Sequence, residues 1–411
     1  MKKRLLSIIL LVAMLFSTVA FTSCYIMHYA GEDTKFTLNS DGQSYTFAYT
    51  YLSEECDFVI PGEYNGLPVT KIGYNAFWNR EYLKSVTIPA SVTFIEAYAF
   101  SDCTNLEKVI FEDGSQLKTI EGAAFVNCSS LKEIELPGSL EALTGSTFWR
   151  CSSLESIHIP KNVNHFSGAC FQECPSLKSI TVDALNETYT MEGNFIYEMK
   201  DGKKHIALCL GGDDDGVLRI PEDVDSFDAW RAFVTCKNVD TVYMHAGLDG
   251  IPEVDGAKEY IISEDNSHFC SIDGVVYSKD KTELMYYPRS KEDIEFVVPS
   301  FVKSIRGDWI YGAFYYVKYL ERVIISEGVT HIGERAFSGS NIRSVELPAS
   351  LEHIGSQAFY NCHLLEEMKY AGSWWDFMFV DRGATWIYYT KNPIIMMTCS
   401  SGVRFFWTGI L

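Results

Sequence analysis

The chain has 411 residues, of which 47% are hydrophobic and 21% charged, and its formal net charge at pH 7 is −20. This composition is typical of folded globular proteins, and no apolar run beyond the N-terminal one is long enough to span a membrane. Because the excess charge is negative, binding to nucleic acid or anionic lipid is disfavoured, and neither is expected as a partner.

Residues 1–24 are predicted to be a signal peptide. A basic start, Met1 to Arg4, precedes an apolar core, Leu5 to Ala20, which is too short to favour a spanning helix and therefore indicates export. The small residues before Cys24 resemble a bacterial lipobox, which would make Cys24 a lipidated N-terminus, although Phe21 stands where most lipoboxes have Leu. The alternative is ordinary cleavage at the end of the core, which leaves Cys24 as a plain thiol.

Residues 25–68 are predicted to be a tether followed by an N-terminal β cap. Asp41-Gly42 lies between two alternating runs, which predicts a hairpin. The repeats that follow would expose the apolar face of their first coil, so residues 35–60 are interpreted as the segment that covers it.

Residues 69–183 are repetitive. The segment Ile95 to Phe111 returns as Ile120 to Leu136, with Ala-Phe and Cys at the same offsets. The phenylalanine recurs at 77, 100, 125, 148 and 171, and residues 301–370 carry it again at 314, 337 and 359. A fixed period in the low twenties predicts a solenoid.

Most repeats continue with Leu six residues after the Phe and then with two apolar residues separated by one, as in Ile157-His-Ile159. Such alternation predicts a short strand with one buried face. Pro137 and Pro160 follow two of these strands, where a residue without an N–H ends the ladder.

Six repeats carry Cys three residues after the Phe: Cys103, Cys128, Cys151, Cys174, Cys236 and Cys362. Twelve cysteines in an exported protein favour disulfides. Equivalent residues of successive coils stack, however, so these six are predicted to form an inward-facing column of reduced thiols that pack as small hydrophobes.

The pattern I-x-x-x-A-F-x-x-C-x-x-L-x-x-I-x-I-P resembles the BspA-like leucine-rich repeats of secreted and surface proteins. The resemblance covers nearly the whole chain after the signal peptide. It implies a leucine-rich-repeat solenoid and a role in adhesion or interaction, while function itself depends on sites placed on the fold.

Residues 184–300 interrupt the period with two similar insertions, around Tyr197 and around Tyr277. Both are predicted to be β-hairpins that rejoin the repeat through a strand ending in Pro. The run Gly211 to Gly216 contains three adjacent aspartates that could suit calcium, but it lacks the twelve-residue loop with a closing Glu, so solvated carboxylates are the favoured interpretation.

Residues 371–411 are predicted to be a Trp-rich C-terminal cap. Families of this type often close in such a segment, and large aromatic side chains suit the covering of an exposed coil end. The competing interpretation is a sugar-binding platform made of Trp374, Trp375 and Trp386.

Local signatures of catalysis and metal binding are missing from the sequence, which has no Cys-x-x-Cys or His-x-x-x-His pair, no Gly-x-Ser-x-Gly elbow and no Walker loop. No cofactor, no metal and no enzymatic activity are expected. A catalytic triad can come from distant positions, so an enzyme with its residues in the inserted hairpins stays an alternative.

The middle residue of each predicted strand faces away from the core, and together these residues form what we call the strand column. Its predicted members are Thr87, Ile110, Glu135, His158, Thr181, Tyr243, Ile324, Glu346 and Lys369. Exposed apolar residues rimmed by polar ones often mark a contact site. Candidate binding residues are therefore Tyr243, His158, Ile110, Glu135 and Ile324, with Trp374 and Trp375 for the alternative at the C-terminal end.

The sequence thus predicts a repeat solenoid of mostly short parallel β-strands with brief helical turns, capped at both ends and carrying two inserted hairpins. The expected function is non-enzymatic binding of a protein or glycan ligand outside the cell, as the resemblance implies. The chain is expected to be a monomer on the cell surface, held to the membrane only through a lipid at Cys24, or secreted if Cys24 is not lipidated.

Overall fold

The computed structural model describes residues 27–29, 34–224, 226–228, 231–308, 312–383, 385–388, 395–400, 402 and 404–407. The chain divides into two compact units, residues 1–187 (unit 1) and residues 188–411 (unit 2). The signal peptide and Cys24 lie outside the described residues.

Unit 1 is a solenoid of short strands. They are β1 (Met27–Tyr29), β2 (Lys35–Leu38), β3 (Tyr45–Tyr49), β4 (Cys56–Val59), β5 (Glu63–Tyr64), β6 (Leu67–Ile72), β7 (Leu83–Ile88), β8 (Phe94–Ile95), β9 (Lys108–Phe111), β10 (Thr119–Ile120), β11 (Ala142–Leu143), β12 (Ser156–Ile159), β13 (His165–Phe166) and β14 (Ser179–Val182).

The predicted repeat strands β7, β9, β12 and β14 form one face of unit 1 in two parallel sheets, with orders β1-β4-β7-β9 and β12-β14, and β1 was not predicted. A second face was not predicted. There the apolar residue that begins each repeat motif lies in a strand of the sheet β13-β11-β10-β8-β6-β3-β2, in which β8, β10, β11 and β13 have only two residues and β2 is antiparallel to β3. Two residues are too few to show an alternating pattern, so the sequence carries no signal for these strands.

The core of unit 1 is a stack of the repeated phenylalanines. Phe77, Phe100, Phe125, Phe148 and Phe171 are each 0% exposed. Successive rings are nearly parallel, with interplanar angles of 3–12° and centroids 4.9–6.0 Å apart. The predicted phase of the repeat is confirmed.

Helical turns are fewer than predicted. The described residues contain two 3-10 turns, Gly168–Phe171 and Arg231–Phe233, and one α-helix, α1 (Trp374–Phe379). In all five repeats of unit 1 the residue two after the Phe has positive φ, as in Asn79, Asp102 and Glu173. A left-handed residue at this position stops a right-handed helix from continuing.

Unit 2 contains the remaining strands: β15 (Tyr189–Glu192), β16 (Phe195–Lys200), β17 (Lys203–Cys209), β18 (Val217–Arg219), β19 (Ser226–Phe227), β20 (Thr241–Met244), β21 (Glu259–Ile262), β22 (Phe269–Ile272), β23 (Val275–Ser278), β24 (Glu283–Tyr286), β25 (Glu295–Val298), β26 (Ser304–Ile305), β27 (Arg322–Ile325), β28 (His331–Ile332), β29 (Ser344–Leu347), β30 (His353–Ile354), β31 (Phe359–Tyr360), β32 (Glu367–Tyr370), β33 (Asp381–Arg382), β34 (Ile387–Tyr388), β35 (Ile395–Cys399) and β36 (Arg404–Trp407).

Both predicted insertions are confirmed as antiparallel hairpins, β15-β16-β17 and β22-β23-β24. The last strand of each pairs in parallel with a repeat strand, β17 with β19 and β24 with β26, so the insertions continue the solenoid. The equivalent tyrosines Tyr197 and Tyr277 are both buried.

Strands at both ends of the described chain extend the sheets of the neighbouring repeats. Asp41-Gly42 forms the turn of the β2-β3 hairpin, as predicted. At the other end β35 pairs in parallel with β32 and antiparallel with β36.

No helix within the described ranges is long and apolar enough to cross a membrane.

Candidate functional site

The strand column is confirmed within each sheet by the register of neighbouring strands. Thr87 pairs with Ile110 and His158 with Thr181 in unit 1. In unit 2, Ile324, Glu346 and Lys369 follow one another across β27, β29 and β32. Each column therefore presents one outward side chain per repeat.

The column of unit 1 is interrupted at Glu135. Residues 133–136 form no strand, which corrects the strand predicted from Ile134 to Leu136, although both of these side chains are buried as predicted. No backbone hydrogen bond between residues 133–136 and β9 or β12 is present in this described part of unit 1. The gap follows a repeat of 25 residues, two longer than the repeat before it, and the loop between β9 and β10 is correspondingly long.

A groove of about 810 Å³ lies at this gap, and we call it the column groove. It is lined by residues 108–115, 133–138 and 156–158, so three predicted binding residues, Ile110, Glu135 and His158, lie in one place. Ile110 is 36% exposed. The charged side chains of the lining are mostly acidic: Glu112, Asp113, Glu133 and Glu135 against Lys108.

His158 lies at the edge of the column groove. Its Nδ1 is 2.9 Å from the Thr181 hydroxyl, and its Nε2 is 3.8 Å from the Asp183 carboxylate. The contact with Thr181 orients the ring, while Nε2 is too far from Asp183 for a hydrogen bond and can form one with a ligand.

In unit 2, Tyr243 lies between Arg219 and Ile261 on neighbouring strands. Tyr243 is 37% exposed, as predicted, and Ile261 is 48% exposed. Ile261 was not predicted because its strand lacks the Ala-Phe mark and because the run Tyr260-Ile261-Ile262 is apolar throughout, so no alternation indicates which side chain is exposed. We call Arg219, Tyr243 and Ile261 the Tyr243 patch.

Ile324 differs from its prediction because it is half-buried rather than exposed. The guanidinium of Arg322 reaches 2.8 Å from Glu295 and 2.7 Å from Glu346 across the sheet, and Lys369 adds a contact of 3.5 Å to Glu346. This part of the strand column is an ion-pair network rather than an apolar patch. The exposed apolar residue beside Ile324 is Val297, which was not predicted.

The cysteine column is buried as predicted at five of its six positions: Cys103, Cys128, Cys151, Cys174 and Cys362. Each thiol donates to the carbonyl of a Phe in the preceding repeat, as from Cys103 to Phe77 at 3.0 Å. Burial raises the pKa of the Cys103 thiol to about 12. The sixth position differs: Cys236 is half-buried, and its sulfur lies 3.3 Å from that of Cys209.

The aspartate run has a partner within the chain. Arg219 contacts Asp213 and Asp215, each at 2.8 Å, so two of the three carboxylates are paired. The run lies in the connection from β17 to β18 rather than at a hairpin tip. Within the described ranges no group of three or more His, Cys, Asp or Glu side chains is placed to hold a metal ion.

The Trp-rich end does not form the three-residue platform. Trp386 is buried and packs edge-on against Phe359 and Phe377, so it cannot contact a sugar. Trp374 is half-buried against the same core, whereas Trp375 on α1 is 73% exposed.

Comparison with known proteins identifies one sequence family. Residues 70–197 and 293–374 match the BspA type leucine rich repeat region, in six copies. Comparison with curated proteins gives no significant match.

Several solved structures are similar to this chain. A leucine rich cell surface protein from Faecalibacterium prausnitzii is 25% identical over 88% of this chain and 99% of its own, with a TM-score of 0.42. A leucine-rich repeat protein from Bacteroides ovatus is 18% identical over 87% and 90%, with a TM-score of 0.41. The leucine rich repeat protein of T. pallidum is 30% identical over 37% and 69%, with a TM-score of 0.35.

Proposed function

Because the chain belongs to the BspA-type leucine-rich repeat family, we propose that it is an exported, surface-displayed protein that binds a protein ligand through its strand column. Repeat solenoids present extended surfaces with one side chain per repeat, and such surfaces are used for binding. The proposal includes a lipid anchor at Cys24 and no enzymatic activity.

The observation that carries the proposal is the column groove. Ile110, Glu135 and His158 come from three successive repeats, yet they line the same groove of about 810 Å³. The acidic rim favours a ligand segment that carries Lys or Arg, because complementary charge steers association and fixes orientation. The exposed Ile110 offers that segment an apolar contact.

The test begins with a pull-down of extracellular host proteins by the full chain. Affinity for each retained protein is then measured at low and high salt, for the wild type and for Ile110→Ser and His158→Ala. We expect each variant to weaken binding about tenfold or more, which corresponds to roughly 1.4 kcal/mol or more. Affinity should also fall as salt screens the acidic rim.

A matched control for these variants is Tyr319→Ala, which removes an exposed aromatic side chain outside the column groove. Circular dichroism checks that all variants fold. Unchanged affinity in both Ile110→Ser and His158→Ala would show that the groove is not the binding site.

A second candidate function is carbohydrate binding at the Trp-rich end. Trp375 and Phe379 are 73% and 86% exposed on α1, and exposed aromatic faces suit the apolar faces of sugar rings. A glycan array that compares the wild type with Trp375→Ala tests this candidate, since loss of a signal in the variant would favour it.

A further inference from the structure

A cleft of about 490 Å³ lies among the turns of unit 1, on a surface distinct from the strand column, and we call it the turn cleft. Three successive repeats line it. The first contributes Tyr98 and Asp102, the second Ala123 and Asn127, and the third Trp149. Its volume lies within the usual range for small-molecule sites, about 300 to 1,000 Å³.

The cleft exists because small residues separate two large aromatic ones. Ala123 occupies the position that Tyr98 occupies in the repeat before it, two residues before the buried Phe. Gly122 and Gly145 bring the two backbones together, since a Cβ on Gly145 would lie 3.1 Å from the Gly122 Cα. The small side chains of Ala123 and Ser146 at this offset therefore leave a hollow beside Tyr98, while Phe125 and Phe148 beneath them stay buried.

The aromatic walls are held in place by neighbours. Tyr98 packs edge-on against Tyr74 with ring centroids 5.8 Å apart, and it stays exposed on the cleft surface. The Arg150 guanidinium lies 4.5 Å from the centroid of the Trp149 ring and contacts Glu173 at 2.8 Å. The indole Nε1 of Trp149 is buried and has no hydrogen-bond partner. Such an unsatisfied donor costs free energy that a ligand acceptor can recover after a small side-chain movement.

Polar groups of the cleft are already oriented. The Asp102 carboxylate accepts hydrogen bonds from Asn127 Nδ2 at 2.8 Å, from the Ser101 hydroxyl at 2.8 Å and from Trp78 Nε1 at 3.2 Å. Partial burial alone would raise the pKa of Asp102, but these hydrogen bonds lower it below its ordinary value. The carboxylate is therefore ionised at neutral pH and presents a fixed acceptor beside the aromatic walls.

We propose that the turn cleft is a saccharide-binding site that takes one or two pyranose rings. The C–H faces of a sugar ring are apolar and pack on aromatic faces such as those of Tyr98 and Trp149. Ring hydroxyls donate to Asp102 and accept from Asn127 and Arg150, which is the combination of apolar walls and few placed polar groups that small-ligand sites use. This site is separate from the column groove and from Trp375.

The experiment is a glycan array with the full chain, covering neutral and acidic glycans, followed by saturation-transfer NMR with the methyl glycosides of the sugars retained. Ala123→Tyr fills the cleft with the residue that the preceding repeat carries at this position, where Tyr98 shows that the backbone accommodates it. Asp102→Asn keeps the size of the side chain, and Asn79 and Asn127 occupy the same position in neighbouring repeats. Both variants are therefore expected to fold.

We expect Ala123→Tyr to abolish sugar binding and Asp102→Asn to weaken it at least tenfold, while Trp375→Ala and Tyr319→Ala bind as the wild type does. An array without any bound glycan would overturn the proposal. So would binding that survives Ala123→Tyr, and binding lost only in Trp375→Ala would assign the sugar to the C-terminal end instead. Loss of protein binding in Ile110→Ser does not affect these outcomes, so the two proposals fail separately.

Discussion

In unit 1 the repeated Phe side chains from Phe77 to Phe171 form one stack, and each buried column cysteine donates to a Phe carbonyl of the repeat before it. Two side chains per repeat thus connect neighbouring coils through both ring packing and hydrogen bonds. Both positions were identified from the sequence, because each recurs at a fixed offset. The thiol hydrogen bonds were not predicted, since nothing in the sequence indicates where a carbonyl of the adjacent coil will lie.

Replacing Phe125 with Ala should destabilise unit 1 strongly. Phe125 is fully buried between Phe100 and Phe148, at 4.9 and 5.6 Å, so its loss leaves a cavity that costs roughly 3–5 kcal/mol. The adjacent repeats should lose protection from amide hydrogen exchange first, because stability in a solenoid couples nearest neighbours. A wild-type unfolding curve for Phe125→Ala would contradict the stacking described here, and exposed Tyr82→Ala serves as the control.

Reactivity towards a thiol reagent should distinguish the five buried cysteines of the column from Cys236, which is half-buried. Burial raises the pKa of Cys103 and of Cys362 to about 12, so neither forms thiolate at neutral pH in the folded protein. We expect a maleimide to label Cys236 in the native state and to label the buried column only after unfolding. Mass spectrometry of the labelled peptides provides the measurement, and disulfides among Cys103, Cys128, Cys151 and Cys174 would show that the column is not reduced.

At the scale of elements, strands with four alternating residues were predicted and two-residue strands were not. The hairpins were found because Asp-Gly turns and alternation act together, whereas the gap at residues 133–136 was missed because Ile134 and Leu136 keep the buried pattern without the ladder. Side-chain burial and strand pairing are separate properties, and the sequence reports mainly the first. The column groove lies where residues 133–136 keep buried side chains but form no strand.

The segment around Pro252 is joined to the second insertion by a buried ion pair. Arg289 Nη2 lies 2.6 Å from Glu253 Oε2, and both side chains are almost fully buried. We expect Glu253→Gln to cost about 3–5 kcal/mol, because it removes the buried partner of the Arg289 charge and leaves only the longer contact of 3.9 Å to the exposed Asp255. Denaturant unfolding measures the loss. Exchanging exposed Glu264 for Gln is the control, and an equal effect of both changes would contradict the role of the pair.

The Tyr243 patch provides a second test of binding by the strand column. Tyr243→Ala should weaken a protein ligand that uses this surface by roughly 2 kcal/mol, or about thirtyfold, because tyrosine often dominates interfaces. Ile261→Ser should have a smaller effect in the same direction, since Ile261 lies directly beside Tyr243. Affinity measurements on both variants decide the matter: if neither differs from Tyr319→Ala, unit 2 does not contribute through this patch.

For the whole molecule, the phase of the repeat could be predicted because the same residue types recur at fixed offsets along the chain. The turn cleft could not, because it depends on how Ala123 differs from Tyr98 in its repeat rather than on what the repeats share. Residue Ile324 illustrates the same limit, since it lies half-buried beside an ion-pair network in which Arg322 joins two glutamates of neighbouring strands. The common pattern predicts the scaffold, and the departures from it create the candidate sites.

The N-terminus of the mature protein should carry a lipid on Cys24. The Thr-Ser-Cys ending of the signal peptide motivates this prediction. Mass spectrometry of protein from its native host should find the N-terminal peptide with its acyl modification, and Cys24→Ala should release the protein into the medium. An unmodified peptide that spans Cys24 would contradict the anchor.

The hydrogen bonds between coils have an evolutionary consequence. The Phe amide donates to the residue before the next Phe, as from Phe77 to Ala99 and from Phe100 to Ala124, each at 2.7 Å. Equivalent bonds follow from Phe125 to Thr147 and from Phe148 to Cys170, each at 2.9 Å, so duplication or deletion of a whole repeat in the gene would recreate the same junction. Unequal recombination can therefore lengthen or shorten a solenoid of these repeats without disrupting the fold. Each new copy is then free to diverge at the positions that shape a cleft.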